Sequence, residues 1–202
     1  MRKLVLKMSM TLDSFVCGPN GEMDWFLKTR SEDGAAWTAE KIAQAGAHLL
    51  GRKTFEEMFS YWPNSSGIFT RIMNETPKIV FSKKGFEPSQ KIESSAAKTW
   101  AEAKVISGDL AEEIRALKKQ DGKPLVAHGG ASFAQALVQT GLIDEFWLAR
   151  HPVAIGQGLG LFSGLKIPMH LKLIETETFS AGTVAHVYIV PSVSRQLKSP
   201  PP

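Results

Sequence analysis

Short apolar runs recur along the chain, separated by stretches in which apolar residues return every three or four positions. The runs at 3–10, 47–50, Lys78–Phe81, 103–106, 125–127, Glu145–His151, 171–179 and 184–190 have the length and side-chain types of strands. Interleaved with them, 38–44, 54–59, 111–119 and 132–139 carry the period of helices that bury one face. Their ends carry helix punctuation. Gly46 follows the first, Gly122 follows the third and Gly141 the fourth, while Asp109 with Glu112 three residues on forms a capping box ahead of 111–119.

Strands alternating with helices require crossover connections, and so a mostly parallel sheet covered on both faces. The last two runs have no helix between them and predict an antiparallel hairpin at one edge. The expected fold is α/β, a single domain over residues 1–191. The remaining 192–202, ending in three prolines, has little to bury and is expected to fray.

Composition and the N-terminal segment sharpen this picture in four places. A length of 202 residues with 43% hydrophobic content fills one core and is short for two full-sized domains. The net charge of +4 comes from cations scattered among acids, with no basic block, which argues against a nucleic-acid partner. The N-terminal MRKLVLKMSM is broken by Lys7 and Ser9 and is neither a signal peptide nor a membrane span. The single cysteine, Cys17, leaves no disulfide framework and no cysteine-rich metal site, and it fits a reducing compartment, with the cytoplasm expected.

Parallel sheets bind ligands beyond the carboxyl ends of their strands. Three such places carry chemistry: Gly51-Arg52-Lys53-Thr54, Ser82-Lys83-Lys84, and His128-Gly129-Gly130-Ala131-Ser132. Cations at a helix start oppose its dipole unless an anion is to be bound there, and a glycine pair before a helix lets backbone approach a phosphate. Each alone also reads as ordinary structure: a solvated helix start, a strand-to-turn segment, a tight turn. Placed after three separate strands, they suit a ligand with phosphates at more than one position, such as a dinucleotide. The run Gly156-Gln157-Gly158-Leu159-Gly160 imitates a dinucleotide fingerprint, but no helix start follows it and a loop is expected.

The segments Leu12-Asp13-Ser14, Val16-Cys17-Gly18 and Met23-Asp24-Trp25, followed by the turns at Gly51 to Thr54 and Gly129 to Ser132, resemble the dihydrofolate reductase superfamily. The run from Gly141 to Phe162 is similar to the C-terminal reductase domain of the riboflavin-biosynthesis deaminase-reductase. The resemblance covers nearly all of residues 1–190. It implies a three-layer dihydrofolate reductase-like fold, NADPH as cofactor, and hydride transfer to a small heterocycle or another small C=N or C=O compound. By the same resemblance, Arg52 lies near the 2′-phosphate, with Gly51, Lys53 and Thr54 along the pyrophosphate. Ser82 and Lys83 surround the adenosine ribose, and Gly129, Gly130, Ala131 and Ser132 form the second pyrophosphate-binding helix start, with a cis Gly129–Gly130 bond. A homodimer is implied too, and the apolar Phe146-Trp147-Leu148 is expected near a sheet edge that a second copy covers.

Three residues carry two readings each. Asp13 matches an aspartate that contacts substrate, and it also reads as a turn aspartate. Trp25 walls a substrate pocket or belongs to the core. His128 stands where the riboflavin branch has a glutamate, as a proton donor or as a packed imidazole. No carboxylate matches the pterin-holding acid of dihydrofolate reductases, since Ala35 falls at that spacing, so folate is not the expected substrate. The zinc ligands of the companion deaminase do not occur. An NADPH-dependent reductase is therefore expected; the alternative is a non-catalytic nucleotide-binding or assembly protein on the same scaffold.

Overall fold

Leu4, Leu6 and Met8 alternate with Val5 and Lys7 along the first strand, and the alternation sends one set to each face of a central sheet. In the computed structural model, which describes residues 1–86, 88 and 97–191, that strand is β1 (Leu4–Thr11), followed by β2 (Phe15–Cys17), α1 (Asp24–Lys28) and α2 (Glu32–Ile42). Next come β3 (Ala47–Gly51), α3 (Arg52–Tyr61), α4 (Thr70–Glu75), β4 (Lys78–Phe81), α5 (Lys98–Ala101) and β5 (Lys104–Ile106). The chain continues through α6 (Leu110–Lys119), β6 (Leu125–His128), α7 (Ala131–Thr140), β7 (Glu145–His151), β8 (Leu159–Gly160), β9 (Lys172–Thr178) and β10 (Val184–Ile189).

Among the described residues the main sheet has eight strands in the order β5-β4-β3-β6-β1-β7-β10-β9, and β2 pairs with β8 in a small separate ribbon. From β5 to β7 neighbours are parallel, and β10 runs antiparallel between β7 and β9. One face packs Leu4, Leu6, Leu125 and Phe146 against Ile114 and Leu117 of α6 and Leu137 and Val138 of α7. The other packs Val5, Leu50, Val80 and Val126 against Ile42 of α2, Phe55 and Phe59 of α3, and Trp100 of α5. This is the three-layer α/β architecture with a C-terminal antiparallel hairpin, as the sequence pattern predicts.

The differences have local causes. Phe146, Trp147 and Leu148 do not lie at a sheet edge. Strand β7 is interior, paired with β1 and β10, and the three side chains are 0, 4 and 6% exposed, so the run is apolar because both faces are covered. The edges are β5 and β9, and on β9 Leu173 and Ile174 are 47 and 51% exposed. Helix α2 starts at Glu32, well ahead of residue 38, because Ser31 caps it by accepting from the Gly34 N–H, while its polar first turns show no apolar period. Helix α3 starts at Arg52 with Gly51 as an extended cap, so both cations sit in the first turn. Leu159 and Gly160 form β8 inside the expected loop, and no helix begins there. The expected tail, 192–202, lies outside the described residues. No helix among the described residues is long and apolar enough to cross a membrane.

The hairpin is tied to α2 by two polar clamps. Lys41 Nζ lies 2.6 Å from Glu175 Oε2, and Trp37 Nε1 donates to Glu175 Oε1 at 3.0 Å. The Asp33 carboxylate accepts from Ser180 N at 2.8 Å and Ser180 Oγ at 3.0 Å. Hydrogen bonds from Ser31, and then from Ser180 and Gly34, hold the Asp33 carboxyl down at about 2, against an ordinary 3.8. A depressed carboxyl stabilises the fold above its unfolded value and loses that contribution as pH falls. The Tm advantage of the wild type over Asp33→Asn should therefore be present above about pH 4 and close as pH falls towards about 2. A gap that stays constant across that window refutes the clamp.

Candidate active site

A cleft of about 1190 Å³ opens where β3, β4, β5 and β6 end and runs inward along Lys7, Met8 and Ser9 of β1. All three sequence segments that follow those strands reach it. Gly51, Arg52, Lys53 and Thr54, Ser82 and Lys83, and His128 through Ser132 line one continuous wall. Glycine makes the convergence sterically possible at two points. A Cβ on Gly130 would sit 2.8 Å from Thr54 Oγ1, and one on Gly51 would sit 3.0 Å from Phe133 Cβ. The N-termini of α3 and α7 are thereby drawn to the same end of the cleft, where their unsatisfied N–H groups favour an anion.

The Gly129–Gly130 bond is trans, in contrast to the cis bond that the family resemblance implies; no cis peptide occurs among the described residues. The turn is made by rotation at Gly130 instead, with φ 64° and ψ 114° as the cap of α7. That positive φ is one an L side chain rarely adopts. Arg52 is half-exposed, its Nε donating to Glu56 Oε1 at 2.8 Å and its guanidinium 5.4 Å from the Phe86 ring centroid. These contacts orient the fork while its terminal nitrogens bond to no described residue. Lys53 and Lys83 are exposed at the cleft rim, and Ser82 is half-buried.

The inner end joins His128 to three groups that sequence reasoning missed, Lys7, His48 and Lys78. Strand alternation places Lys7, His128, His48 and Lys78 on one face, with Lys7 in register with His128 and His48 with Lys78. His128 Nε2 and His48 Nδ1 are 2.9 Å apart, so one carries the proton and the other accepts it. Burial, reinforced by His48, Lys7 and Lys78, pushes His128 well below the ordinary imidazole range, and burial with Lys78 takes His48 down to about 3. His128 is thus a neutral, packed imidazole at pH 7 that still borders the cleft. Lys78 is buried against the Trp100 ring and bonded to Thr99 Oγ1 at 2.6 Å, and burial takes it to about 7. Lys7 is only partly exposed, and burial lowers its ammonium to about 8. The signal for Lys7 was present: a lysine interrupting the apolar run of a central strand.

Asp13 and Trp25 lie outside the main cleft wall. The Asp13 carboxylate accepts from Thr11 Oγ1, from Ile155 N at 2.9 Å and from Gly156 N at 2.7 Å, and these bonds, Thr11 first, lower its pKa. It fastens the 153–156 segment to the end of β1. Trp25 is 8% exposed, stacks edge-on to His151 at 5.2 Å between centroids, and borders a smaller pocket of about 290 Å³ with Glu22 and Asp24. Its neighbour Phe26 borders the large cleft.

Comparison with known proteins agrees with this fold. The chain is 35% identical over 190 residues to the uncharacterized protein YyaP of Bacillus subtilis, covering 93% of this chain and 94% of that one. A putative riboflavin biosynthesis protein from Shewanella sp. PV-4 superposes with a TM-score of 0.71 at 17% identity, covering 94% of this chain and 99% of the other. Dihydrofolate reductase from Enterococcus faecalis, solved with NADP(H) and RAB-propyl, gives a TM-score of 0.60 at 16% identity, with 93 and 95% covered. The family model described as the RibD C-terminal domain matches residues 2–185, and this chain belongs to that family.

Proposed function

We propose that this protein is an NADPH-dependent reductase of a small C=N or C=O acceptor, related to the reductases of riboflavin biosynthesis. The observation that carries the reading is the single cleft in which three cation- or glycine-bearing strand ends meet two helix N-termini. The Gly130 cradle, closed to any side chain by Thr54, fits close approach of a pyrophosphate. Arg52 would take the 2′-phosphate, Lys53, Thr54 and the Gly129 to Ser132 turn the pyrophosphate, and Ser82 and Lys83 the adenosine side. NADPH supplies the hydride when bound. The chain's task is to orient the acceptor along Lys7 to Ser9 and to provide a proton to its heteroatom. Lys7 retains an ammonium there at neutral pH, whereas neutral His128 offers at most an N–H.

The direct test is a thermal shift with NADPH and NADH, since a ligand that binds only the native state raises Tm with its concentration. NADPH should raise Tm at micromolar concentration and NADH much less. No shift by either sinks the reading. Once an acceptor is found by following NADPH absorbance, its turnover should fall as pH rises through about 8, where Lys7 loses its proton. A protein that binds NADPH and reduces nothing in such a screen would fit the non-catalytic alternative.

The reading includes a cytoplasmic homodimer. Its support is the family resemblance and the exposed edge strand β9, whose Leu173 and Ile174 a second copy would cover. Sedimentation at micromolar concentration should give a dimer, and Ile174→Lys should shift it to monomer. A wild-type monomer under those conditions counts against pairing.

A further inference from the structure

We propose that His151 is a positioning residue: in its Nδ1–H form it is the buried anchor that seats α1, and with it Phe26, on the wall of the cleft. Helix α1 is too short to stand by itself. It has five residues, no side chain caps its start, and Met23 and Leu27 turn outward, 43 and 64% exposed. Its two rings meet one side chain, with Trp25 and Phe26 edge-on to His151 at 5.2 and 5.4 Å between centroids. Phe26 borders the cleft, so the seat of α1 decides the shape of that wall. The inference goes beyond the reductase reading and stands without it.

The hydroxyls around the ring decide its tautomer. Thr29 Oγ1 donates to Trp25 O at 2.9 Å and Thr183 Oγ1 donates to Thr29 O at 3.0 Å, so both hydroxyl protons are committed. His151 Nδ1 lies 2.9 Å from the first oxygen and 3.2 Å from the second, and it can bond to either only as a donor. The proton therefore sits on Nδ1, and Nε2 is bare, buried and without a partner among the described residues. A second proton would go to Nε2, where the Trp25 indole offers only another N–H. No carboxylate among the described residues compensates it. Lys7 shares the sheet face and opposes the charge, and β1 sets Thr11 opposite the ring. Alternation turns Arg150 of β7 to the other face, and the hairpin contributes only Thr183. Asp13 is engaged with Ile155 and Gly156, while Glu22, Asp24, Lys28 and Arg30 of the α1 segment are exposed. Burial, opposed by the Thr29 carbonyl and aided by Lys7, takes the imidazole from 6.5 down to about 4. With α1 detached the ring returns to its ordinary value, so the seat has full strength above about pH 6.5. Each unit below that multiplies the detached population about tenfold, until about pH 4.

The test follows α1 through the fluorine signal of Trp25 in protein labelled with 5-fluorotryptophan, assigned by Trp25→Phe. Trp37, Trp62, Trp100 and Trp147 report on the rest of the fold. As pH falls from about 6.5 to about 4, a solvent-exposed Trp25 signal should grow while the other four keep theirs. His151→Leu removes the N–H, and it should expose Trp25 at neutral pH and speed trypsin cleavage after Lys28 or Arg30 about tenfold or more. His151→Asn sets an amide N–H where Nδ1–H stands and takes up no proton in this range, so it should keep Trp25 buried without a response to pH. A purely packing role predicts the reverse order, because leucine fills an apolar space better than asparagine does. The proposal is overturned by a Trp25 signal that stays buried to about pH 4, by all five signals moving together, by a seated His151→Leu protein, or by a detached His151→Asn protein. Should His151→Leu not fold, the wild-type titration and His151→Asn still decide.

Discussion

Arg52→Ala should weaken NADPH binding about 10- to 100-fold, the equivalent of one charge-assisted forked contact, and leave NADH binding within about threefold. The two cofactors differ only in the 2′-phosphate, so the ratio of the two losses isolates that group from every other contact. The arginine is prepared for it. Glu56 holds Nε at 2.8 Å and Phe86 lies 5.4 Å beneath the guanidinium, so less side-chain entropy remains to be lost on binding. Lys at this position would keep the charge without the fork, and Arg52→Lys should fall between wild type and alanine. Titration of both nucleotides by intrinsic tryptophan fluorescence gives the constants. Equal losses for NADPH and NADH would place the 2′-phosphate elsewhere.

Gly130→Ala should cost about 1–3 kcal/mol of stability from its positive backbone angle and weaken NADPH about tenfold or more. Two terms contribute: φ of 64°, which an alanine tolerates poorly, and a Cβ only 2.8 Å from Thr54 Oγ1. They separate experimentally. Thr54→Ala in the same chain removes the hydroxyl collision and leaves the φ term, so the double variant should recover part of the stability. Affinity should not return with it, because the cradle remains filled. Urea denaturation alongside NADPH titration distinguishes the two, and a Gly130→Ala protein that binds NADPH normally would reduce the glycine pair to an ordinary turn.

The legibility of the site follows from where its information resides. Arg52, Lys53, Ser82, Lys83 and the Gly129 to Ser132 turn were readable because each follows its own strand directly, and in a parallel sheet strand ends share one side. Lys7 was marked only as a lysine breaking an apolar run, and His48 and Lys78 were not marked at all. Each is a single polar residue within a strand, and nothing local says which neighbouring strand it will face. The Asp13 side chain was placed by contacts to Ile155 and Gly156, more than a hundred positions away, and Trp25 by its packing on His151.

The periods of the apolar residues were sufficient to determine the α/β alternation, the two covered faces and the C-terminal hairpin, because burial selects the same spacing wherever a strand or helix lies. Strand order was decided only in three dimensions. An apolar run such as Phe146-Trp147-Leu148 has one pattern whether the strand is central or at the border of the sheet, and it was pairing with both β1 and β10 that made β7 interior and left β9 as an edge. The same holds for Gly129–Gly130: two glycines permit either peptide geometry, and the trans bond with its positive φ at Gly130, beside Thr54 of α3, was visible only in the structure.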